Sequence, residues 1–425
     1  MIQRPRAFVV VTGSELVRGE RTDLNGPFLA GEALRLGLEP TRIAIVGDAP
    51  VELEATLREA LATADAVLVS GGLGPTHDDR TVELVAKALG VGLVVDAALE
   101  AEIEAVSRRA AARLRRDYAD FATGVTKQAT IPEGALSLGL AGTAPGLLVP
   151  RDEGVVVVLP GPPGELRRLW PRALETDAFR GLLARTTPPG RRVLRFFGVS
   201  ESAVARALAD AGGERDGVEV TICARDFEIH VDLVVQPGAE PHADELEAAL
   251  LPPIERWLYG RDGRGVEEHV LELCRARGLT LATAESCTGG LVAARLTSVP
   301  GSSDVLLGGV VAYANSVKED ELGVPSGLIK EHGAVSAEVA AAMARGARER
   351  LGADVAVSVT GIAGPDGGTP EKPVGLVYVH AEGPGGRAAR ELDLPGDRAA
   401  IRARSVVVAL HLVRTLLTRS LDESV

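Results

Sequence analysis

The sequence predicts an α/β fold at both ends of the chain, with a small α+β module between them. Three observations carry this expectation. Short apolar runs of strand length alternate with helix-length segments in residues 1–170, the pattern of a doubly wound parallel sheet with strands buried on both faces, and the last stretch, 260–425, also reads as α/β. Proline-rich breaks, Pro188-Pro189-Gly190 and Pro252-Pro253, fall between those stretches. A chain of 425 residues also exceeds what one ordinary core holds, so two or three domains are expected.

Composition narrows the class. The chain is 46% hydrophobic and 25% charged with only 3% aromatic residues, which is ordinary globular material rich in small aliphatics. A net charge of −13 weighs against a broad nucleic-acid face, so nucleic acid is not an expected partner. Cys223, Cys274 and Cys287 are unpaired by any motif, which suggests a reducing compartment and no disulfide framework. No CxxC or HExxH spacing offers a zinc site. Met1 to Arg6 lead into a strand-like run, not a secretory signal, and no apolar run reaches membrane-spanning length. A cytoplasmic protein without a membrane partner is expected.

In the first stretch, Ala7 to Val11, Ile43 to Val46, Ala66 to Val69 and Val155 to Leu159 read as strands. Helices are expected from Asn25 to Leu36, Val51 to Ala62 and Val82 to Leu89. Loops that follow parallel strands gather at one edge of the sheet, where ligands bind. Three such loops bring Glu15, Asp23, Asp78, Asp79 and Glu165 into one neighbourhood. Glycine amides there can approach phosphates, and clustered carboxylates can hold a divalent cation. The plainer role for Asp78 and Asp79 is a favourable interaction with a helix N-terminus.

Several motifs in this stretch occur in a fixed order. They are Thr12-Gly13-Ser14-Glu15, the run Gly71 to Thr81, Lys127-Gln128-Ala129, Gly142 to Gly146, and Leu159 to Glu165. In these the stretch resembles the molybdopterin-binding-type N-terminal domain of the CinA family of competence/damage-inducible proteins, with Ser14 where Thr is expected. The resemblance implies a nucleotide site at Gly13, Gly71, Gly72, Gly74, Thr76 and Lys127. It also implies a divalent metal on Glu15, Asp78 and Asp79. The activity implied is either metal-dependent ADP-ribose pyrophosphatase or a remnant pterin-like nucleotide site.

Residues 171–259 read as strands Val193 to Phe197, Val218 to Cys223 and Phe227 to Val234, with helices from Glu201 to Ala211 and from Pro241. This resembles the KH-like middle domain of the same family. RNA-binding KH modules clamp the backbone with a GxxG loop between helices. Gly212-Gly213 instead precedes a strand and reads as a helix end. A spacer or dimerisation role, within a homodimer, is the expectation.

The last stretch centres on Thr283-Ala284-Glu285-Ser286-Cys287-Thr288-Gly289-Gly290, between an apolar run, Leu279 to Ala282, and a helical segment, Leu291 to Val299. Such a strand-to-helix turn presents hydroxyls and free amides where negative charge is stabilised. Ser286 has a nucleophile's position, while helix capping is the plainer role for Ser286 and Thr288. The blocks Ala284 to Gly290, Gly308 to Tyr313, Gly333 to Ser336 and Thr360 to Pro365 resemble the CinA C-terminal domain, a nicotinamide mononucleotide deamidase. The resemblance implies Ser286, Tyr313 and Lys318 as catalytic residues and no cofactor. Thr288, Gly289, Gly290, Gly308, Gly309, Thr360 and Gly361 are expected to line the substrate cleft. Arg398 and Arg402, one turn apart at a helix start, suit a substrate phosphate. Cys287 is the competing nucleophile. His332, His380 and His411 are alternative bases, of which His380 and His411 read as structural.

Overall fold

A computed structural model describes residues 4–422, so Met1 to Gln3, read above as the lead into the first strand, lie outside it. The chain divides into two compact units, with the boundary between Gly190 and Arg191.

The first unit is a six-stranded sheet of β1 (Arg6–Thr12), β2 (Glu39–Val46), β3 (Ala66–Ser70), β4 (Leu136–Leu140), β5 (Pro145–Arg151) and β6 (Gly154–Leu159), in the order β2-β1-β3-β6-β5-β4. β2, β1, β3 and β6 are parallel. Alternation along β1 sends Phe8 and Val10 into one core and Ala7, Val9 and Val11 into the other. That two-sided burial is why the strand reads as an unbroken apolar run. Two features differ from the expectation. β5 and β4 extend the parallel core as an antiparallel edge, because residues 152–153 leave room only for a hairpin. The unit also runs past residue 170: the helix Asp177–Leu183 buries Phe179 and Leu182, and Phe179 meets Trp170 edge-on at 5.6 Å.

The second unit begins with a four-stranded sheet of β7 (Gly190–Phe196), β8 (Val218–Arg225), β9 (Glu228–Val235) and β10 (Leu258–Gly260), ordered β8-β9-β7-β10. The helices Glu201–Asp210 and Glu240–Leu250 share its core. It continues into a five-stranded sheet of β11 (Leu281–Glu285), β12 (Leu306–Val311), β13 (Val355–Gly361), β14 (Leu376–Gly383) and β15 (Gly386–Asp393), ordered β12-β11-β13-β14-β15. β12, β11 and β13 are parallel; β14 and β15 run antiparallel. One face packs on Val266–Arg275, Leu291–Thr297 and Arg398–Asp422. The other packs on Asn315–Leu322 and Ala337–Leu351. Among the described residues no helix is long and apolar enough to cross a membrane.

Within this unit the middle module is locked to the long C-terminal helix by a buried polar cluster. The Glu228 carboxylate on β9 accepts from His411 Nε2 at 2.5 Å and from the Tyr259 hydroxyl at 2.8 Å. Phe197 stacks on the His411 ring, 3.8 Å between centroids. His230 and Arg414 also face the cluster. Burial pushes His411 down to about 4 even though the Glu228 charge pulls the other way. Glu228 falls to about 2: burial opposes ionisation there, but the bonds from His230, His411 and Tyr259 outweigh it. At neutral pH the pair is therefore a neutral imidazole donating to a carboxylate.

Both folded pKa values lie below their unfolded values, so the stability they contribute is lost as pH falls. His411 acts between about 6.5 and 4, and Glu228 between about 4.5 and 2. Urea unfolding of the second unit should weaken across pH 6.5 to 4. In His411→Gln, which keeps a donor but does not titrate, that decline should be shallower by on the order of 3 kcal/mol. Equal slopes would remove the pair from the pH dependence.

Candidate functional site: a buried serine–lysine pair

β11 runs three residues further than its apolar run suggests, through Glu285, so the turn opens at Ser286. The Ser286 amide bonds to Val359 O at 2.8 Å, which fixes the turn beside the end of β13 and hence beside Thr360 and Gly361. Gly289 and Gly290 have φ of +61° and +95°, left-handed values that let the chain reverse into the helix Leu291–Thr297. Gly309 on β12 is needed for a different reason. A Cβ there would lie 2.2 Å from the Thr283 hydroxyl.

Ser286 and its neighbour face opposite ways. Ser286 Oγ lies 3.1 Å from Lys318 Nζ, with the two residues 9% and 1% exposed. Cys287 is 5% exposed inside the apolar core, and burial pushes its thiol up to about 11. A thiol held that high is no nucleophile near neutrality. Lys318 comes from the helix Asn315–Leu322 that follows β12. Its amine also donates to Ala312 O at 2.7 Å and Tyr313 O at 3.2 Å, and burial holds it below the ordinary lysine value. Tyr313 thus positions the lysine through its main-chain carbonyl. Its phenol, on a side chain 58% exposed, accepts from Arg398 Nη2 at 2.9 Å, and Arg398 also donates to Gly364 O at 2.8 Å.

The remaining expected residues divide. Gly308 and Gly309 lie on β12, the edge strand beside β11. Thr360 spends its hydroxyl on Ala334 O at 2.8 Å, tying down the loop before the helix Ala337–Leu351. Thr288 is fully buried and its hydroxyl has no hydrogen-bond partner. Arg402 does not reach outward for a phosphate: its fork donates to Cys287 O at 3.0 Å and Thr288 O at 2.8 Å. His380 sits within β14, and His411 belongs to the Glu228 cluster.

Two features escaped the sequence reading. Glu285, 1% exposed, accepts from the amides of Gly290, Val292 and Ala293 at 2.9–3.0 Å. The helix N-terminus is therefore already neutralised by a carboxylate, contrary to the expectation of free amides there. The amides left without a main-chain hydrogen bond are those of Cys287 and Thr288. Arg402's main-chain role was the second feature. Neither leaves a mark in spacing: Glu285 lies six residues before the helix, at the end of β11, rather than at its N-cap.

In the first unit, a cavity of about 250 Å³ is lined by Gly72, Gly74, Asp79, Glu83, Lys127 and Gln128 together with Leu73, Val82, Leu93, Thr130 and Pro145. Thr76 is not part of its lining but is tied to it, taking Lys127 Nζ on its carbonyl and presenting its hydroxyl to Asp78 and Asp79. That hydroxyl's bond holds Asp78 below the ordinary carboxylate range. Gly13 and Gly71 belong to the neighbouring loops after β1 and β3, and Gly71 packs on Thr12. Glu15 lies against Gly13. All three expected metal ligands follow strands at the same sheet edge, but they do not converge. Among the described residues no group of three or more His, Cys, Asp or Glu can hold a metal ion. The donor set does not fit a divalent cation, which asks for about six oxygen ligands.

Fold and site together define a three-module α/β protein with a buried Ser–Lys pair at a strand-to-helix turn. Family models match along its length: a probable molybdopterin binding domain over residues 8–178, the damage-inducible protein CinA KH domain over 191–260, and the CinA C-terminal domain over 264–417. A CinA-like protein of Mycolicibacterium vanbaalenii is 45% identical over 97% of this chain and 99% of its own. One from Mycobacterium avium is 46% identical over 97% and 98%. A solved competence/damage inducible protein, CihA from Agrobacterium tumefaciens, is 43% identical over 36% of this chain and 96% of its own, with a TM-score of 0.35. The chain belongs to the CinA family.

Lys318 spends folding energy on a desolvated amine. Lys318→Met should therefore raise the melting temperature, by about 2–4 °C for each kcal/mol relieved, while abolishing whatever reaction Ser286 performs. A lower melting temperature would mean that the amine's bonds to Ala312 and Tyr313 outweigh its burial.

Proposed function

We propose that the second unit hydrolyses the carboxamide of nicotinamide mononucleotide, releasing nicotinate mononucleotide and ammonia in pyridine-nucleotide salvage. The observation that carries this reading is the hydrogen-bond count at Lys318 Nζ. A neutral amine has two N–H groups and one lone pair. Two main-chain carbonyls, Ala312 and Tyr313, take the two hydrogens. The lone pair is left for the Ser286 hydroxyl at 3.1 Å. This is the geometry of a general base already oriented on its nucleophile.

The reaction then balances with these residues alone. Ser286 Oγ bonds to the carboxamide carbon as its proton passes to Lys318. The carbonyl oxygen becomes an oxyanion, for which the Thr288 amide, without a main-chain partner, is the available donor of the turn. Collapse breaks the C–N bond, and Lys318 returns the proton to the departing ammonia. Water, deprotonated by the same amine, releases nicotinate mononucleotide and restores Ser286. Arg398, exposed and joined to Tyr313 and Gly364, keeps donors for the substrate phosphate.

For the first unit we propose nucleotide binding in the cavity between Gly72, Gly74 and Lys127, with ADP-ribose as the ligand to assay. No metal-dependent step is derived, since the carboxylates do not converge.

The test is product analysis on both nucleotides with purified protein. Ser286→Ala should lower deamidation by about 10³-fold or more, since nucleophile and base act as one unit, while Cys287→Ala keeps most of it. Because only the neutral amine accepts a proton, kcat/KM should rise with pH through an apparent pKa below about 10.4, the ordinary lysine value. An active Ser286→Ala protein or an inactive Cys287→Ala protein would overturn the assignment.

A further inference from the structure

Arg402 lies on the first turns of the helix Arg398–Asp422. Its Nε donates to Cys287 O at 3.0 Å and its Nη2 to Thr288 O at 2.8 Å. This fork spans two successive peptide carbonyls of the Ser286 turn. In a trans peptide the C=O and the N–H of the same unit point in opposite directions. The Cys287 carbonyl and the Thr288 N–H belong to one such unit. The arginine that fixes the carbonyl therefore fixes the direction of the amide, which points away from it.

The rest of the turn gives that amide its meaning. Glu285 takes the N–H groups of Gly290, Val292 and Ala293 from the other side. The Gly289 N–H closes on Ser286 O at 3.1 Å. Thr288 N–H has no main-chain partner, although its residue is fully buried. A buried donor left unpaired costs free energy, a cost that a role in function explains. The turn is thus stretched between a carboxylate on its amides and a guanidinium on its carbonyls. The positive charge on the carbonyl oxygens also polarises those peptides and strengthens their N–H groups as donors.

We infer that Arg402 is a positioning residue for the oxyanion donors of the Ser286 turn, not a ligand for the substrate phosphate. This rests on the deamidase reading for its substrate, but not for its geometry. Arg402 and Arg398, one turn apart, divide the work: Arg402 faces the turn, and Arg398 reaches Tyr313 and Gly364 with donors to spare. A lysine cannot replace Arg402, because a single ammonium does not reproduce the planar fork that meets two carbonyls at once.

The experiment compares Arg402→Ala, Arg402→Lys and Arg398→Ala with the wild type on nicotinamide mononucleotide. It adds guanidinium chloride at sub-denaturing concentration and hydrogen exchange over residues 287–293. The expected result for Arg402→Ala is a kcat lower by about 100-fold, the usual loss when an oxyanion donor is misplaced. KM should stay within about threefold and the pH profile should be unchanged, since Lys318 still sets it. Added guanidinium should restore part of the lost kcat, Arg402→Lys should stay impaired, and Arg398→Ala should show the opposite split, with KM raised. A raised KM at unchanged kcat in Arg402→Ala would overturn the inference, as would wild-type kinetics. Should the wild type itself leave nicotinamide mononucleotide intact, the deamidase reading fails, and the exchange data judge Arg402 alone. Faster exchange confined to the turn in Arg402→Ala supports the positioning role; unchanged exchange there overturns it.

Discussion

The second unit depends on placing an amine where water cannot reach it. An ammonium ion at the position of Lys318 would lose its hydration and regain only two neutral carbonyls and a hydroxyl. The surroundings therefore favour the neutral form, and the same burial that costs stability supplies a base. Much of the local architecture serves this arrangement. The helix Asn315–Leu322 begins directly after β12 so that its first turn points the lysine back at the strand ends. Cys287 faces into the core on the side of the helix layer, which leaves Ser286 as the residue of the turn that meets the amine.

The turn itself is held between two charges, the buried Glu285 and the half-buried Arg402. Glu285 and Arg402 take opposite poles of the same short segment, amides on one side and carbonyls on the other. Glu285 alone would be a buried charge held only by amides; through the intervening peptide dipoles it and Arg402 compensate one another. This explains why a seven-residue helix can start so abruptly after the nucleophile.

What the sequence made legible follows from how each feature is encoded. Strands buried on two faces appear as apolar runs, so β1, β3, β6, β11 and β13 could be read to within a few residues. Ser286 stands in a motif block, and Lys318, which lies outside every block, was reached only through the family resemblance. Side-chain bonds to main-chain atoms leave no periodicity, so the Arg402 fork looked like a phosphate site. The antiparallel edges were obscured for different reasons: β15 is largely solvent-facing with no apolar signature, and β4 is a short alternating segment that buries only Leu138. The first domain's boundary was placed too early because the proline-free stretch after Pro171 gave no hint that Phe179 returns to the core. The carboxylates of the first unit share a sheet edge, as topology requires, but sharing an edge does not make a coordination shell.

The cluster around Glu228 has a consequence for modularity. His411 lies about 20 Å further along the same helix that carries Arg398 and Arg402 at its start. Glu228 and Phe197, which hold it, belong to the middle module. The C-terminal sheet and its helices carry the entire Ser–Lys arrangement, yet they do not form a self-sufficient surface. Cutting the chain near Gly260 would strip a carboxylate, a phenol and an aromatic ring from one side of the helix. A chain encoding only the C-terminal part would present His411 to water without its carboxylate partner. The middle module, whose residues lie outside the Ser–Lys site, is thereby tied to the helix that carries Arg398 and Arg402.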